Sequence, residues 1–258
     1  MGILNVTPDS FSDGGRHLDP DVAAAAARQM VSDGAAIVDV GGESTRPGSQ
    51  GVPEEVELRR VVPVLERLAG EVPISIDTSK AEVARRALEL GALLVNDVTA
   101  LRGDPALAGV VAGADAYLCL MHMQGEPRTM QAAPTYDDVV SEVAGFLEER
   151  LAFAVSAGIP EERICLDPGI GFGKKISHNL ALLRGLESIL ALGRPVLVGL
   201  SRKSVLGKIL GDPDATTATA AASVGAAVAA FERGASIFRV HDVREHVEAL
   251  GAAAAVSA

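Results

Sequence analysis

Residues 163–174 read Arg163-Ile164-Cys165-Leu166-Asp167-Pro168-Gly169-Ile170-Gly171-Phe172-Gly173-Lys174, and this stretch contains the unit that the rest of the chain repeats. The apolar run predicts a buried strand that stops at Asp167, which places a carboxylate at the strand end. The glycines that follow let the backbone turn sharply before a helical pattern begins, and Phe172 and Lys174 add an apolar face and a cation. Taken alone, the turn is explained equally well as a glycine-rich strand-to-helix connection.

The chain contains eight such strand-and-helix units in all. In each unit a short run rich in Val, Ile and Leu is followed by a segment of helical periodicity. The predicted strands are Gly2 to Val6, Ala36 to Val40, Pro73 to Asp77, Leu93 to Asn96, Ala116 to Met121, Arg163 to Asp167, Pro195 to Leu200 and Ser236 to Val240. The predicted helices lie near 21–33, 54–69, 80–90, 105–112, 137–157, 179–192, 215–233 and 242–253.

This alternation predicts the fold class. Strands that are apolar on both faces predict a parallel sheet, because each crossover helix covers a face. Eight units in 258 residues match the size of one (β/α)8 TIM barrel, with the active site at the C-terminal face of the strands. A doubly wound open sheet is the alternative, although it would normally have fewer strands and one crevice. No linker or low-complexity tract interrupts the pattern, so we expect residues 1–258 to form a single domain.

The composition narrows the class of protein. A formal net charge of −11 and a pI near 4.9 disfavour a nucleic acid or an anionic membrane as partner, but not an anionic small molecule. No secretory signal pattern is present, and no apolar run reaches the ~18 residues of a bilayer span. Cys119 and Cys165 show no metal-binding spacing, which predicts buried reduced thiols and a cytoplasmic location. Because Met1 leads directly into an apolar run, we expect a short preceding segment to be missing.

Polar residues stand where the apolar runs stop. In a barrel these strand ends converge on one mouth, where the ligand binds. A single Asp at a strand end is most often a helix cap or turn residue, but a whole series of polar ends indicates a site. The series is Asn5, Asp39, Asp77, Asn96 with Asp97, His122, Asp167, Ser201 with Arg202 and Lys203, and Arg239 with His241. Three other histidines, His17, His178 and His246, are predicted at the surface.

One group within this series combines carboxylate, amide and ammonium. It consists of Asp77, Asn96, Asp167 and Lys203. Carboxylates accept paired hydrogen bonds and lysine donates them, so this group suits a heterocycle that presents amino and ring N–H donors beside a carbonyl.

A second group carries cations and an amide oxygen. It consists of Asn5, Arg46, Arg239 and His241. The cations suit a diphosphate, and the amide oxygen of Asn5 suits a Mg²⁺ ion that keeps most of its waters. A few cationic side chains directed at one site would allow a chain of net negative charge to bind a polyanionic substrate.

Two long loops, at residues 7–16 and 41–51, are rich in Gly, Ser and Pro. Long loops in a compact barrel are usually functional or disordered. We expect these loops to be lids that close over the substrates and exclude water. Mobile connectors without a role are the alternative.

Eight segments resemble the signatures of the dihydropteroate synthase family, in order and over essentially the whole chain. They are Met1 to Gly15, Asp39 to Gly48, Ser75 to Thr78, Asn96 to Val98, Met121 to Gly125, Asp167 to Lys174, Gly199 to Ser204 and Arg239 to Asp242. The resemblance implies a transferase of folate biosynthesis, of the class that sulfonamides target. Such an enzyme condenses 6-hydroxymethyl-7,8-dihydropterin diphosphate with p-aminobenzoate to 7,8-dihydropteroate and diphosphate. The resemblance also implies Mg²⁺ as cofactor and a homodimer built through the last helices.

Carried over by position, the resemblance assigns the site residues. The pterin-binding set is Asp77, Asn96, Met121, Asp167 and Lys203. The p-aminobenzoate pocket is Phe11, Thr45, Pro47, Phe172 and Ser201, joined by Lys203. The diphosphate site is Asn5, Arg46, Arg239 and His241, with Asn5 also the metal ligand. The catalytic residues implied are Asp77, Asp167, Lys203, Arg239 and His241.

The reaction that the resemblance implies assigns roles to these groups. Mg²⁺, Arg239 and His241 would take up the charge that grows on the leaving diphosphate. Asp77 and Asp167 would stabilise the cationic methylene that remains on the pterin. The alternative function is a methyltransferase that passes a methyl group from methyltetrahydrofolate to a corrinoid protein, because it shares the Asp/Asn/Asp pterin set. The second group discriminates between them, since a methyltransferase has no diphosphate to bind.

Overall fold

Eight parallel strands form the wall of a (β/α)8 barrel in the computed structural model, which describes residues 1–7 and 19–257. The strands are β1 (Gly2–Asn5), β2 (Val38–Gly41), β3 (Ile74–Asp77), β4 (Leu94–Asp97), β5 (Tyr117–Met121), β6 (Ile164–Asp167), β7 (Leu197–Val198) and β8 (Ile237–Phe238). Strands β1 to β6 pair in chain order, and β7 pairs with β8. Parallel bridges from Leu166 to Val196 and from Gly2 to Val240 join the two sheets and complete the ring. The predicted fold class is confirmed.

Helices connect the strands on the outside of the barrel. Within the described ranges they are α1 (Pro20–Ser32), α2 (Glu54–Leu68), α3 (Ala81–Glu89), α4 (Leu107–Gly113), α5 (Val139–Ser156), α6 (Ile176–Arg184), α7 (Glu187–Leu190), α8 (Ser204–Ile209), α9 (Ala220–Phe231) and α10 (Val243–Ser257). A 3₁₀ turn at Glu161–Arg163 precedes β6. Across residues 1–7 and 19–257, every helix is too short or too polar to cross a membrane.

Every predicted strand is present, but some boundaries differ. The runs predicted at 195–200 and 236–240 contain only the two-residue strands β7 and β8, because their flanking residues join the ring through single bridges. The helical pattern over 179–192 consists of two helices that separate at Gly185. Helix α8 was not predicted, since six residues are too few to show a helical period.

The histidines outside the strand ends also differ from prediction. His246 is only 2% exposed, and its Nδ1 donates a hydrogen bond to Asp242 O at 2.6 Å, so it is a buried residue of α10. His178 is partly buried and packs edge-on against the ring of Tyr136, with centroids 5.0 Å apart. His17 lies outside the described residues.

A hydrophobic core between the strands and the helices fixes the wall of the barrel. Val40 and Ile76 from the strands pack with Val61, Leu65 and Leu68 of α2, and all five are fully buried. Burying such a side chain stabilises the fold by about 1.5–3 kcal/mol. The strand ends above this core are therefore held in fixed positions.

The interior of the barrel is apolar at its base and polar at its mouth. At the base, Cys119, Cys165 and Leu197 pack together, and both thiols are buried and free, as predicted. Side chains alternate along a strand, so residues two positions further on point into the same interior. Met121 and Asp167 therefore face the mouth above the two cysteines.

The register of the strands places predicted site positions side by side. Asn5 pairs with Gly41, Gly41 pairs with Asp77, and Asp77 pairs with Asn96. These residues lie at the C-terminal ends of four neighbouring strands. The fold thus brings residues from the first 96 positions to one level of the mouth.

Candidate active site

A buried ion-pair network around Asp39 lies at the centre of the mouth. The Asp39 carboxylate is fully buried and accepts hydrogen bonds from Ser75 Oγ at 2.5 Å and Asn96 Nδ2 at 3.0 Å. Its Oδ2 also accepts from Arg239 Nε at 2.6 Å. Arg239 Nη2 donates to Asp77 Oδ2 at 2.6 Å, which extends the network to β3. Because hydrogen bonds between ionised groups are strong, the network fixes these side chains relative to one another.

The same network determines which atoms face a ligand. Asn96 uses its amide nitrogen on Asp39, so its carbonyl oxygen is directed as an acceptor. Arg239 occupies one oxygen of Asp77. Across the mouth, Asp167 is 6% exposed, and its Oδ1 accepts from Gly169 N at 2.7 Å. Asp77, Asn96 and Asp167 therefore present oxygen acceptors to the barrel interior.

Burial controls the charges of this group. It raises the pKa of Asp77 to about 7, although the charge of Arg239 acts in the opposite direction. Burial also raises the pKa of Asp167, against the charge of Lys203, and lowers the pKa of Lys203 to about 8. A ligand that donates N–H groups to the carboxylates would stabilise their charged forms. The group is therefore suited to a ligand rich in donors.

Lys203 reaches the mouth from the turn after β7. Its Nζ donates to Ile170 O and lies 4.5 Å from the centroid of the Phe172 ring. Phe172 packs against a small apolar cluster that contains Met121 and Val98. Residues predicted for two neighbouring pockets thus meet at one place.

Lys174 is not directed into the mouth as a free cation; it holds the glycine-rich turn. Its side chain is 3% exposed, and its Nζ lies 2.8 Å from His122 Nδ1. The same Nζ donates to the carbonyls of Gly169 at 2.9 Å and Phe172 at 3.0 Å. Gly169 has a φ of 67°, and a Cβ there would collide with His122 O. Lys174 therefore fixes the turn that carries Phe172.

Ser201 and His241 lie together after β7 and β8. His241 N donates to Ser201 Oγ at 3.1 Å, so the hydroxyl can donate to His241 Nδ1, also 3.1 Å away, which leaves Nε2–H as a donor. Burial lowers the pKa of His241 to about 3, and the charges of Arg239 and Arg46 act in the same direction. Burial therefore favours a neutral, donating His241 in the absence of a bound anion, whereas the sequence predicts a cation at this position.

The amide of Asn5 faces the network across Gly41. A Cβ on Gly41 would lie 3.8 Å from Asn5 Oδ1 and 3.6 Å from Asp77 Oδ2. Both oxygens therefore lie beside Gly41, on the same side of the network. Oxygen donors of this kind are the ligands that Mg²⁺ prefers.

The two loops carry the remaining predicted residues. Thr45 lines a cavity of about 120 Å³ together with Asp77. Arg46 and Pro47 follow on the same loop and are exposed. Phe11 belongs to the first loop, of which residues 8–16 lie outside the described residues. The structure thus joins the second loop to the mouth through Thr45.

Asp39 is the functional residue to which the sequence alone assigns no role. The sequence feature that could have identified Asp39 is an ionisable side chain inside the apolar run Ile37-Val38-Asp39-Val40. A buried carboxylate in a strand requires a charged or donor partner. The sequence does not say that the partners are Arg239 and Asn96.

Comparisons with known proteins agree with this architecture. The family described as "Pterin binding enzyme" matches residues 1–241. The dihydropteroate synthase of Escherichia coli (strain K12) is 50% identical over 252 residues, which cover 97% of this chain and 88% of that protein. The dihydropteroate synthase of Mycobacterium leprae (strain TN) is 48% identical over 264 residues, covering 97% and 90%.

Solved structures are similar over the whole chain. The Yersinia pestis dihydropteroate synthase in a sulfonamide drug complex has a TM-score of 0.93 and 46% identity, and covers 100% of this chain and 93% of that chain. The Xanthomonas albilineans dihydropteroate synthase in complex with 7,8-dihydropteroate has a TM-score of 0.87 and 46% identity, with the same coverage.

Acid should destabilise the fold through its buried neutral histidines. Burial lowers the pKa of His122 to about 3, and the charge of Lys174 adds to this effect. A histidine whose pKa is lowered on folding stabilises the protein fully above its ordinary pKa and loses that contribution as the pH falls toward 3. The variant His122→Gln keeps an acceptor for Lys174. Its loss of unfolding free energy between pH 7 and pH 5 should be smaller than that of the wild type by about 2 kcal/mol.

Urea unfolding at several pH values measures this difference. His178→Gln is the control, because that ring is only partly buried and its replacement should change the pH dependence much less. Parallel pH profiles for the wild type and His122→Gln would show that His122 is not held neutral by the fold.

Proposed function

The chain belongs to the dihydropteroate synthases, within the pterin-binding enzyme family, and from that premise we propose how its barrel mouth works. It is a transferase of folate biosynthesis that joins 6-hydroxymethyl-7,8-dihydropterin diphosphate to p-aminobenzoate and releases diphosphate. The observation that carries the proposal is the buried group of Asp77, Asn96 and Asp167, which is linked by Arg239 to the anion-binding side of the mouth.

In this proposal the pterin lies against β3, β4 and β6. Its amino group and ring N–H groups donate to Asp77, Asn96 and Asp167, and Lys203 donates to its carbonyl. Met121 packs against the ring. The raised pKa values of the two aspartates support this arrangement, because a donor-rich ring would return both carboxyls to their charged forms.

The anion-binding side then assists the departure of diphosphate. An arginine has five N–H donors, so Arg239 can keep its bonds to Asp39 and Asp77 and still donate to a phosphate oxygen. His241 offers Nε2–H, and Arg46 adds charge from the second loop. These groups act where negative charge grows as the carbon–oxygen bond breaks. Asp77 and Asp167 stabilise the positive charge that develops on the pterin methylene.

The residues around Asn5 fit a magnesium ion. Mg²⁺ takes oxygen ligands, keeps several waters and is commonly held by one or two protein oxygens together with substrate phosphates. Asn5 Oδ1 and Asp77 Oδ2 both lie beside Gly41, so the amide oxygen faces the mouth. In residues 1–7 and 19–257, no three His, Cys, Asp or Glu side chains cluster as an all-protein metal site. We therefore assign Asn5 as the protein ligand; when bound, the ion supplies positive charge that stabilises the diphosphate.

The p-aminobenzoate pocket is proposed beside the pterin, where Lys203 and Phe172 meet. Phe172 offers a face for the benzoate ring, and Ser201 and Lys203 offer donors for its carboxylate. Thr45 and Pro47 come from the second loop, and Phe11 from the first. The amine attacks the methylene, and water removes the proton that nitrogen releases once the new bond has formed.

Several wider assignments remain proposals. Residues 1–258 act as a single pterin-binding barrel domain in the cytoplasm, which the buried free thiols favour. A homodimer forms through α9 and α10, because the small side chains of α9 suit the close packing of one helix on another. The corrinoid methyltransferase alternative is disfavoured, because Arg239, His241 and Asn5 have no part in its chemistry.

The direct test is to incubate the purified protein with the pterin diphosphate, p-aminobenzoate and Mg²⁺ and to detect 7,8-dihydropteroate. We expect product to form, and to decline when EDTA removes the metal, because the diphosphate then loses a counter-charge. A folded protein that yields no product at saturating substrate would refute the function.

Replacement of Lys203 tests the placement of the two substrates. Lys203→Ala removes a contact proposed for both substrates. The transition state should then lose about 2 kcal/mol or more of stabilisation, the scale of a charged hydrogen bond, and kcat/KM should fall accordingly. Lys208→Ala, an exposed lysine of the following helix, is the matched control and should behave like the wild type. A Lys203→Ala enzyme with wild-type kcat/KM would show that Lys203 contacts neither substrate.

A further inference from the structure

The second loop, which the sequence predicts at 41–51 and which spans residues 42–53 between β2 and α2, is tied to the barrel by an ion-pair network separate from that of Asp39. Lys80 Nζ donates to Glu43 Oε2 and to Glu57 Oε2, each at 2.5 Å. Glu43 lies at the start of the second loop, Glu57 lies in the first turn of α2, and Lys80 immediately precedes α3. One ammonium group therefore joins three separate parts of the chain.

Glu43 also joins the two ends of the second loop. Its Oε2 accepts a hydrogen bond from Val52 N at 3.0 Å, so one carboxylate contacts both Lys80 and the end of the loop. Near the tip, Gly48 N donates to Pro127 O at 2.9 Å. The conformation of the loop base thus depends on the position of the Glu43 carboxylate, which Lys80 holds.

Burial makes one partner of this network costlier to remove than a partner of an ordinary surface salt bridge. The Glu57 side chain is 1% exposed and that of Lys80 is 22% exposed. Burial raises the pKa of Glu57. Burial acts to lower the pKa of Lys80, but the hydrogen bonds to Glu43 and Glu57 outweigh this effect and raise it. Breaking a buried pair costs far more than breaking an exposed one, because the remaining charge has no solvent to stabilise it.

The network also forms part of the wall of the mouth. Glu43, Glu57 and Lys80 line the cavity of about 120 Å³ that Thr45 and Asp77 also line. Thr45 belongs to the proposed p-aminobenzoate pocket, and Asp77 to the pterin group. A displacement of Glu43 would move Thr45, two residues later, before it could affect Asp77, which Arg239 holds independently.

We propose that Lys80 is a positioning residue that sets the second loop, and through it the p-aminobenzoate pocket, without contacting either substrate. The inference rests on the proposed function for its kinetic consequence. Its structural part, that Lys80 anchors the second loop, stands on the contacts of Glu43, Glu57 and Val52.

The first test compares Lys80→Met and Lys80→Arg with Arg85→Met. Arg85 forms ion pairs with Glu82 and Glu89 on the exposed face of α3, the helix that Lys80 precedes, and is the matched control. In Lys80→Met, the KM for p-aminobenzoate should rise about tenfold or more, since small misplacements of a pocket have large effects. The Kd for the pterin diphosphate should stay within about twofold of the wild type, and Lys80→Arg should recover most of the loss because it keeps the charge.

A second variant and a second measurement separate anchoring from folding and from function. Lys80→Met combined with Glu57→Gln removes the buried charge that the single variant leaves unpaired, so the barrel should stay folded. Hydrogen–deuterium exchange of the unliganded double variant should be faster at residues 43–52, including the amide of Val52, and unchanged in the strands. If exchange at residues 43–52 is the same as in the wild type, Lys80 does not anchor the second loop.

The kinetic part has its own contrary results. If Lys80→Met and Arg85→Met have the same KM for p-aminobenzoate, Lys80 does not position that pocket. The same conclusion follows if Lys80→Met weakens the binding of both substrates equally and hydrogen exchange rises throughout the protein. If the wild type itself forms no product, the proposed function fails, and the exchange experiment still decides whether Lys80 anchors the second loop.

Discussion

The carboxylate of Asp39 lies inside the barrel with no exposure to solvent, where an unpaired charge would be unfavourable by several kcal/mol. The fold meets this constraint by bringing Arg239 to it from 200 residues away along the chain, Ser75 from the adjacent strand β3 and Asn96 from β4. The arrangement of the mouth depends on that requirement. Strand register sets the level at which these groups meet, and the Asp39 network sets the direction in which they point.

This arrangement couples the two halves of the proposed reaction. Asn96 belongs to the pterin group and Arg239 to the diphosphate group, and both are held by the same carboxylate. Arg239 also donates a hydrogen bond to Asp77, so the residue proposed to bind the leaving group contacts the residue proposed to bind the ring. The site can therefore be acidic around the pterin and cationic around the diphosphate in a chain whose net charge is −11. Local pairing, rather than overall charge, decides what binds.

Much of the fold could be predicted because it follows from two periodicities and one topological rule. Apolar runs that alternate with helical segments indicate parallel strands, and the C-terminal ends of such strands must share one face, so Asp77, Asn96 and Asp167 could be grouped from the sequence alone. The sequence could not show how the surroundings of two lysines in similar settings differ. Lys174 and Lys203 each follow a strand and a turn, but backbone carbonyls enclose the first, while the second lies over Phe172. Enclosure of this kind depends on the path of the turn, which spacing does not specify. Likewise, the protonation of His241 depends on burial and on arginines from other strands.

The contacts of Asp39 imply that it organises the mouth by holding Asn96 and Arg239. The most direct measurement is the affinity for the pterin diphosphate of Asp39→Asn, determined by calorimetry beside the wild type under conditions where both are folded. Loss of one charged hydrogen-bond acceptor should weaken binding by about tenfold or more, because Asn96 and Arg239 lose their common anchor. An Asp39→Asn variant that binds the pterin diphosphate as tightly as the wild type would contradict the account.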